Sequence, residues 1–254
     1  SAAGVRTAST VGRTISTLLG RLAHPPPEII AWSSPVPAFG DPISATVATL
    51  GLNPSNREFV DKQGRELDEA SRRFPTLRSL GIRAWSDASE AHTETILRSC
   101  CSYFHGNPYD MWFRCLDHLL AAAGHSYYGG AASACHLDLL PFATTCKWTD
   151  LRPTSRAQLM QFAGDTLALV LQGSSINTLV LNGRSVVRYL EMLSGSRFHS
   201  EHTNAWVLQR KSGANVPGFA YWGTLTAIHG IPLGREVKIL GYNHNVQSSF
   251  GITR

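Results

Sequence analysis

Short apolar runs, each closed by a turn or a polar residue, recur along this chain. Four of these runs are too short for typical helices and are apolar at nearly every position, a pattern typical of strands buried on both faces of a parallel sheet. We therefore predict four strands, at residues 45–52, 134–140, 176–182 and 237–242.

Between the predicted strands, apolar residues recur at the spacing of a helix face. The third of these segments has Ser155 as a candidate N-cap and Gly173 as its stop. Helices are predicted at residues 94–104, 111–123, 156–171 and 185–193. The alternation predicts an α/β fold, a three-layer α/β/α domain with a central, mainly parallel four-stranded sheet.

Two stretches interrupt this alternation. Residues 53–83 are charged and weakly periodic, and they are too long for an ordinary connection between a strand and a helix, which indicates a functional segment. Residues 205–224 carry Gly213, Pro217 and Gly223 between aromatic runs, and this pattern predicts a hairpin inserted before the last strand.

The N-terminal segment is open to two interpretations. Its first 27 residues are rich in Ser, Thr and Arg and contain no acid, as in a transit peptide. A regular apolar stripe followed by three prolines favours an amphipathic helix packed on the domain instead. We predict an N-terminal helical extension over residues 1–30 and a single domain over 31–254. The stripe consists of Val11, Ile15, Leu18, Leu19 and Leu22.

Composition agrees with one globular domain, because the chain has 254 residues of which 43% are hydrophobic. No apolar run approaches the roughly 18 residues of a membrane span, so no membrane partner is expected. The five cysteines show neither a CxxC pair nor an even number for disulfides, which predicts free thiols in a reducing, cytoplasmic compartment and no metal site. They are Cys100, Cys101, Cys115, Cys135 and Cys146. We expect a monomer.

The formal net charge of +5 comes from an excess of arginine. The planar guanidinium binds phosphate in a bidentate fashion, so this excess suits a phosphate-bearing partner, although a solvated basic helix face explains the charge equally well. Several of the arginines follow the first predicted strand: Arg57, Arg65, Arg72, Arg73, Arg78 and Arg83.

Polar motifs follow the first and last predicted strands. Gly51-Leu52-Asn53-Pro54-Ser55 closes the first strand, and Tyr242-Asn243-His244-Asn245 closes the last. Ligands bind beyond the carboxyl ends of strands in open α/β sheets, so Asn53 and His244 are expected to converge on one crevice.

The ordered set of motifs resembles the uracil-DNA glycosylase superfamily over about residues 45–251. Residues 51–55 are similar to the Asn-type version of its first motif, and residues 240–244 match the approach to its last motif. Residues 136–142 resemble the second-strand segment that reads the base, and residues 179–184 resemble the third-strand segment. The resemblance implies a DNA repair enzyme that flips uracil out of DNA, hydrolyses its N-glycosidic bond and leaves an abasic site.

The resemblance assigns roles to three candidate catalytic residues. Asn53 holds the attacking water through its amide, and His244 donates a hydrogen bond to a base carbonyl oxygen as negative charge develops there. Asp138 stands where the family has Asn. It is expected either to donate to the base as a neutral acid or to activate the water, and an Asp that only caps its loop is the structural alternative. A backbone-bonded loop His is the corresponding alternative for His244.

The candidate binding residues surround these motifs. Phe74, in the long charged loop, is the candidate for stacking on the flipped base, although a core Phe is almost as good an explanation. The other expected base contacts are Gly51, Leu52, Pro54, Ser55 and Asn245. The expected DNA contacts are Arg57, Arg72, Arg73, Gln247, Ser248 and Ser249.

The chain departs from the family at positions that affect substrate range. Asn245 and Val246 replace the usual Pro-Ser after the His, and Ser55 and Asn56 replace the Tyr-His that some members use to exclude thymine. Gln247 and Ser248 stand where a bulky side chain usually enters the duplex. The expected partner is therefore DNA that contains uracil or a related deaminated base.

The resemblance further implies a reaction without cofactors. The family branches that bind an iron–sulfur cluster use four cysteines in a pattern absent here. No lysine stands near either motif loop in sequence, so we expect base release without strand cleavage. A non-catalytic lesion-binding module of the same fold and a small-molecule α/β hydrolase are the alternatives, and the second lacks a G-x-S-x-G elbow or a phosphate loop.

Overall fold

The computed structural model describes residues 2–106, 110–129, 132–209 and 215–244. The helices are α1 (Ala2–Arg21), α2 (Leu77–Leu80), α3 (Glu90–Cys101), α4 (Tyr103–Gly106), α5 (Asp110–Ala121), α6 (Pro153–Ala163), α7 (Thr166–Gln172) and α8 (Arg184–Ser194). The strands are β1 (Val47–Gly51), β2 (Ala134–Asp138), β3 (Thr178–Asn182), β4 (His199–Gln209), β5 (Asn215–Ile228) and β6 (Ile231–Tyr242). Short 3-10 turns occupy Asn56–Glu58, Trp85–Asp87 and Trp148–Asp150.

The six strands in the described part of the chain form one sheet in the order β2-β1-β3-β6-β5-β4. The four predicted strands are its parallel half, since β1 pairs in parallel with β2 and β3, and β3 with β6. The prediction of four strands is wrong, because β4 and β5 extend the sheet with antiparallel pairs to six. The carboxyl ends of the four parallel strands lie at one edge, as the motif argument requires.

Both faces of β1 and β2 are buried, whereas β3 is half-buried on one face and the parallel part of β6 exposes Lys238 and Leu240. Along β1, Ala48 and Leu50 belong to the large aliphatic cluster, whereas Val47 belongs to a second, aromatic cluster. Thr49 contacts the hydroxyl of Tyr127, which is part of the aromatic cluster. Because the side chains on both faces of β1 are buried, its sequence is mostly apolar and does not alternate between apolar and polar residues.

Helix α1 buries the predicted stripe and packs against α3 and α7. The interpretation of this segment as an amphipathic helix packed on the domain is thus confirmed. Its last residue, Arg21, binds both carboxylate oxygens of Asp165 at 2.6 Å and fixes α1 to the start of α7.

The long third helix predicted at 156–171 is instead two helices, α6 and α7, separated at Gly164 and Asp165. A Cβ at Gly164 would stand 2.8 Å from the side chain of Leu193, so α8 packs close to the break. Ser155 is not the N-cap, because α6 begins after Arg152 with Pro153 in its first turn. Ser155 lies buried and donates to Glu28 at 2.6 Å. Gly173 ends α7 as predicted.

The antiparallel half is built from long, partly exposed strands. The predicted hairpin is confirmed, since β4 and β5 pair antiparallel, and it is longer than residues 205–224. A two-residue turn joins β5 to β6, with His229 and Gly230 both at positive φ, as tight hairpin turns require. In the part of the chain that the structure describes, no helix has the length and apolarity to cross a membrane.

Candidate functional site

The loop after β1 holds Asn53 in a fixed orientation. Its amide nitrogen donates to the carbonyl oxygen of Phe142 at 3.3 Å, to the hydroxyl of Thr144 at 3.0 Å and to the carbonyl oxygen of Pro54 at 3.1 Å. Both amide hydrogens are therefore used by the protein. The amide oxygen is the atom of Asn53 that can accept a hydrogen bond from a water or ligand.

His136 and Asp138 stand on the same face of β2, two residues apart. The Nε2 atom of His136 lies 3.1 Å from Oδ1 of Asp138, and its Nδ1 atom lies 2.7 Å from the hydroxyl of Thr49 on β1. All three side chains are buried. The imidazole thus orients the Asp138 carboxyl through its Oδ1 atom. The sequence did not predict this role of His136.

Gly51 makes this arrangement possible. It is paired with Asp138 in the register of β1 and β2. A Cβ at Gly51 would lie 2.6 Å from Oδ1 of Asp138 and 3.1 Å from Nε2 of His136, so a side chain there would displace the pair. The close approach explains why glycine opens the first motif.

A second carboxyl group, Glu58, is buried on the 3-10 turn that follows Ser55. Its Oε1 atom accepts from the Tyr103 hydroxyl at 2.9 Å, and its Oε2 atom accepts from Arg73 at 3.3 Å. Burial raises the pKa of Glu58 to about 7 and outweighs the lowering effects of Arg73 and Tyr103, while the negative charge of Asp138 raises this pKa further. A carboxyl with this pKa exchanges protons near neutral pH.

These groups share one cavity of about 260 Å³ at the carboxyl edge of β1 and β2. Ionisable groups, amides, aromatic rings and the half-buried Cys146 line it. The volume is below the roughly 300–1,000 Å³ of sites for drug-sized ligands, which suits a smaller ring. The polar lining residues are Asn53, Ser55, Asn56, Glu58, His136, Asp138, Thr144 and Lys147, and the aromatic lining residues are Phe39, Trp112, Phe113 and Trp148.

Phe74 is not available for stacking on a ligand in this structure. It is 1% exposed, and its ring stacks on Tyr103 with centroids 5.4 Å apart and planes at 15°. It belongs to the aromatic core beneath the cavity rather than to the wall. The alternative of a core Phe is the correct one, and Phe39, Trp112, Phe113 and Trp148 are the aromatic residues that line the cavity.

The arginines of the long loop do not act together. Arg73 is directed inward, where it bonds Glu58 and the carbonyl oxygen of Arg57, so its expected role as a DNA contact is not supported. Arg72 is half-buried beside it, bordering a different depression. Arg57 lies on the turn between two residues that line the cavity, Asn56 and Glu58, and is half-exposed.

The remaining motif residues divide between the cavity and its margin. Pro54 and Ser55 line it, and Leu52 is half-buried while its carbonyl oxygen accepts from the Leu140 backbone at 2.9 Å. His244 follows β6 and is half-buried, but it is not among the described residues that line the cavity. Asn245, Gln247, Ser248 and Ser249 lie outside the described residues.

Lys147 lies at the cavity, although the sequence predicts no lysine near the motif loops. No lysine is close to the motif loops along the chain, yet Lys147 is exposed at the cavity wall because the segment after β2 folds back over the first loop. Within the described ranges, no group of three or more His, Cys, Asp or Glu side chains could hold a metal ion.

Comparison of the chain with models of known protein families gave no match, and comparison with curated proteins gave none either.

Proposed function

We propose that the protein is a DNA glycosylase with a three-layer α/β/α fold that hydrolyses the N-glycosidic bond of uracil in DNA and leaves an abasic site. The observation that carries the proposal is the meeting of Asn53, from the end of β1, with Asp138, from the end of β2, in the wall of one small cavity. The motif order along the chain supports the same reaction.

The cavity has the character of a base-binding site. Its aromatic residues offer faces and edges to a planar ring, which compensates part of the stacking that a base loses on leaving the duplex. Among its polar lining, the amide oxygen of Asn53 and the carboxyl of Asp138 can face the ring edge. Uracil would present a single planar ring to this cavity.

In the proposed reaction, the amide oxygen of Asn53 holds the water that attacks the sugar. His136 orients Asp138 through Oδ1, so we assign Oδ2 to the substrate, as a contact to the base edge or to the water. The motif order assigns the donor to the carbonyl oxygen of the departing base to His244, which follows β6 outside the cavity lining in this structure. Fixed donors at a developing negative charge need no reorganisation during the reaction, and each typically contributes about a hundredfold or more in rate.

Cations near the cavity suit the phosphates on either side of a flipped nucleotide. Lys147 is exposed at the wall, and Arg57 lies on the adjoining turn. Neighbouring phosphates flank every nucleotide, so cations on the rim bind DNA of any sequence and base contacts in the cavity supply the selectivity.

The test is base release from single- and double-stranded DNA that contains uracil, thymine, hypoxanthine or xanthine. Wild type should release uracil, and Asp138→Ala should be at least about a hundredfold slower. Asp150→Ala, which removes an exposed carboxylate of the following turn, is the matched control and should behave as wild type. If no base is released from any substrate while DNA still binds, the non-catalytic module is the correct alternative.

Borohydride trapping in the same reactions tests the expected absence of strand cleavage. A Schiff base between the sugar and a lysine would be reduced to a stable protein–DNA adduct. We expect no adduct. An adduct that disappears in Lys147→Ala would show that the enzyme also cleaves the strand.

A further inference from the structure

Glu58 is a buried carboxyl in the cavity wall to which the proposed function gives no role. It follows Asn53 by five residues, and the 3-10 turn Asn56–Glu58 brings it back against the cavity. Burial of an acid without function is costly, because the charged form loses its hydration. The chain nevertheless keeps Glu58 at 4% exposure.

The hydrogen bonds to Glu58 do not form a bidentate ion pair, so its carboxyl can still accept a bond from a water. The charged and titratable groups recorded around it are Arg73, Tyr103 and Asp138. Arg73 donates one long bond of 3.3 Å, and Tyr103 donates one bond of 2.9 Å. An ionised carboxylate has about four acceptor positions, so these two donors leave capacity for a water in the cavity.

We propose that Glu58 is the general base of the site, accepting the proton of the water that attacks the sugar. This inference rests on the proposed glycosylase function. The water oxygen forms a bond to C1′ of the sugar, the bond from C1′ to the base breaks, and its electron pair leaves on the base. The water proton passes to the Glu58 carboxylate, which later releases it to solvent or to the departed base.

Two observations favour Glu58 over Asp138 for this step. Oδ1 of Asp138 is bonded to His136 and its Oδ2 is assigned to the base edge, so Glu58 is the other carboxyl of the cavity available to the water. Burial raises the pKa of Glu58 to about 7, and a general base is most effective when its pKa lies near the working pH. Asn53 then positions the water, Glu58 takes its proton, and Asp138 contacts the base.

The experiment is the pH dependence of single-turnover uracil release, with free base measured from pH 5 to 9. Wild type should rise with pH along a limb centred near pH 7. Glu58→Gln should be at least about a hundredfold slower at pH 8 and should lack this limb. Glu69→Gln, an exposed residue of the same loop, is the matched control and should keep the wild-type profile.

Tyr103→Phe provides a second, independent variant. In wild type the Tyr103 hydroxyl stabilises the ionised form of Glu58 and lowers its pKa. Removing the hydroxyl should therefore raise this pKa and shift the limb to higher pH. A purely structural role of Tyr103 would instead lower the rate equally at all pH values. Circular dichroism establishes whether each variant folds. If Glu58→Gln does not fold, the shift of the limb in Tyr103→Phe decides the question.

The outcomes separate this inference from the proposed function. Uracil release by wild type with an unchanged limb in folded Glu58→Gln, or with an unshifted limb in Tyr103→Phe, would overturn the role of Glu58 and leave the glycosylase standing. No release of any base by wild type at any pH would overturn both.

Discussion

Two arginine–carboxylate pairs in this protein use the same chemical groups in opposite ways. Arg21 binds both oxygens of Asp165 at 2.6 Å and joins two helices at the surface of the core. Arg73 makes one bond of 3.3 Å to Glu58 beneath the cavity, where the carboxyl is almost fully buried.

The pKa values of the two acids shift in opposite directions. The hydrogen bonds and charge of Arg21 outweigh the partial burial of Asp165, so the pKa of Asp165 is lowered. Burial of Glu58 outweighs its weaker pairing, so its pKa is raised to about 7. A close bidentate pair therefore keeps its acid ionised and joins two helices, whereas a single long bond to a buried acid leaves a carboxyl that can gain and lose a proton near neutral pH.

Breaking the buried pair should have the largest effect. Arg73→Ala leaves Glu58 buried without its cation and should cost about 3 kcal/mol or more in the free energy of unfolding at pH 8. Urea denaturation at pH 8 and pH 5 measures this cost.

The pH dependence of this cost follows from the raised pKa of Glu58. In wild type the unfolded chain loses this proton near pH 4.5 and the folded protein near pH 7, so the Glu58 contribution to stability falls as pH rises through this window. Without Arg73 the folded pKa rises further and the decline continues to higher pH. An equal cost at pH 5 and pH 8 would contradict this account.

The second prediction concerns Gly51, which leaves room for the His136–Asp138 pair in the cavity wall. Gly51→Ala places a methyl group about 2.6 Å from Oδ1 of Asp138, so the His136–Asp138 pair must move. We expect a cost of about 1–3 kcal/mol and a loss of uracil release of at least tenfold. Gly12→Ala on α1, where a Cβ meets nothing within 4 Å, is the control and should keep wild-type activity.

Breaking the structural pair should have the smallest effect and none on chemistry. Arg21→Ala should cost about 1–2 kcal/mol and leave base release unchanged. Because the pKa of Asp165 is lowered, its stabilising contribution is present above its usual value of 3.8 and is lost as pH falls below it. Thermal denaturation from pH 2.5 to 7 should therefore show the variant approaching wild type at the acidic end.

The sequence was sufficient for the parallel half of the sheet and insufficient for the antiparallel half. The strands β1 and β2 are short and buried on both faces, and β3 is buried on one face and half-buried on the other, so their apolar runs identify them. In the β5–β6 hairpin, exposed residues such as Trp222 and Leu240 disturb the alternation of buried and polar positions, and pairing across the sheet decides the strand lengths.

The sequence predicted those site residues that belong to motifs, and it did not predict those whose role depends on how neighbouring strands pair or on how the long loop folds. Asn53 follows a predicted strand and Asp138 lies within one, whereas the role of His136 depends on its position opposite Thr49 in β1. Glu58 and Arg73 lie in a charged loop whose composition indicates solvent, and tertiary burial turned both inward. Phe74 was misassigned for the same reason, since its partners come from distant segments.

Cys146 gives the cavity a chemical handle. All five cysteines are free, and burial raises the pKa of Cys100 and Cys135 far above the range in which thiols react, with that of Cys101 raised to about 12. Cys146 is half-buried in the cavity wall itself. A small alkylating reagent can thus report occupancy of the cavity, because a bound ring would shield Cys146 and leave the half-buried Cys115, which lies outside the cavity lining, as the unshielded reference.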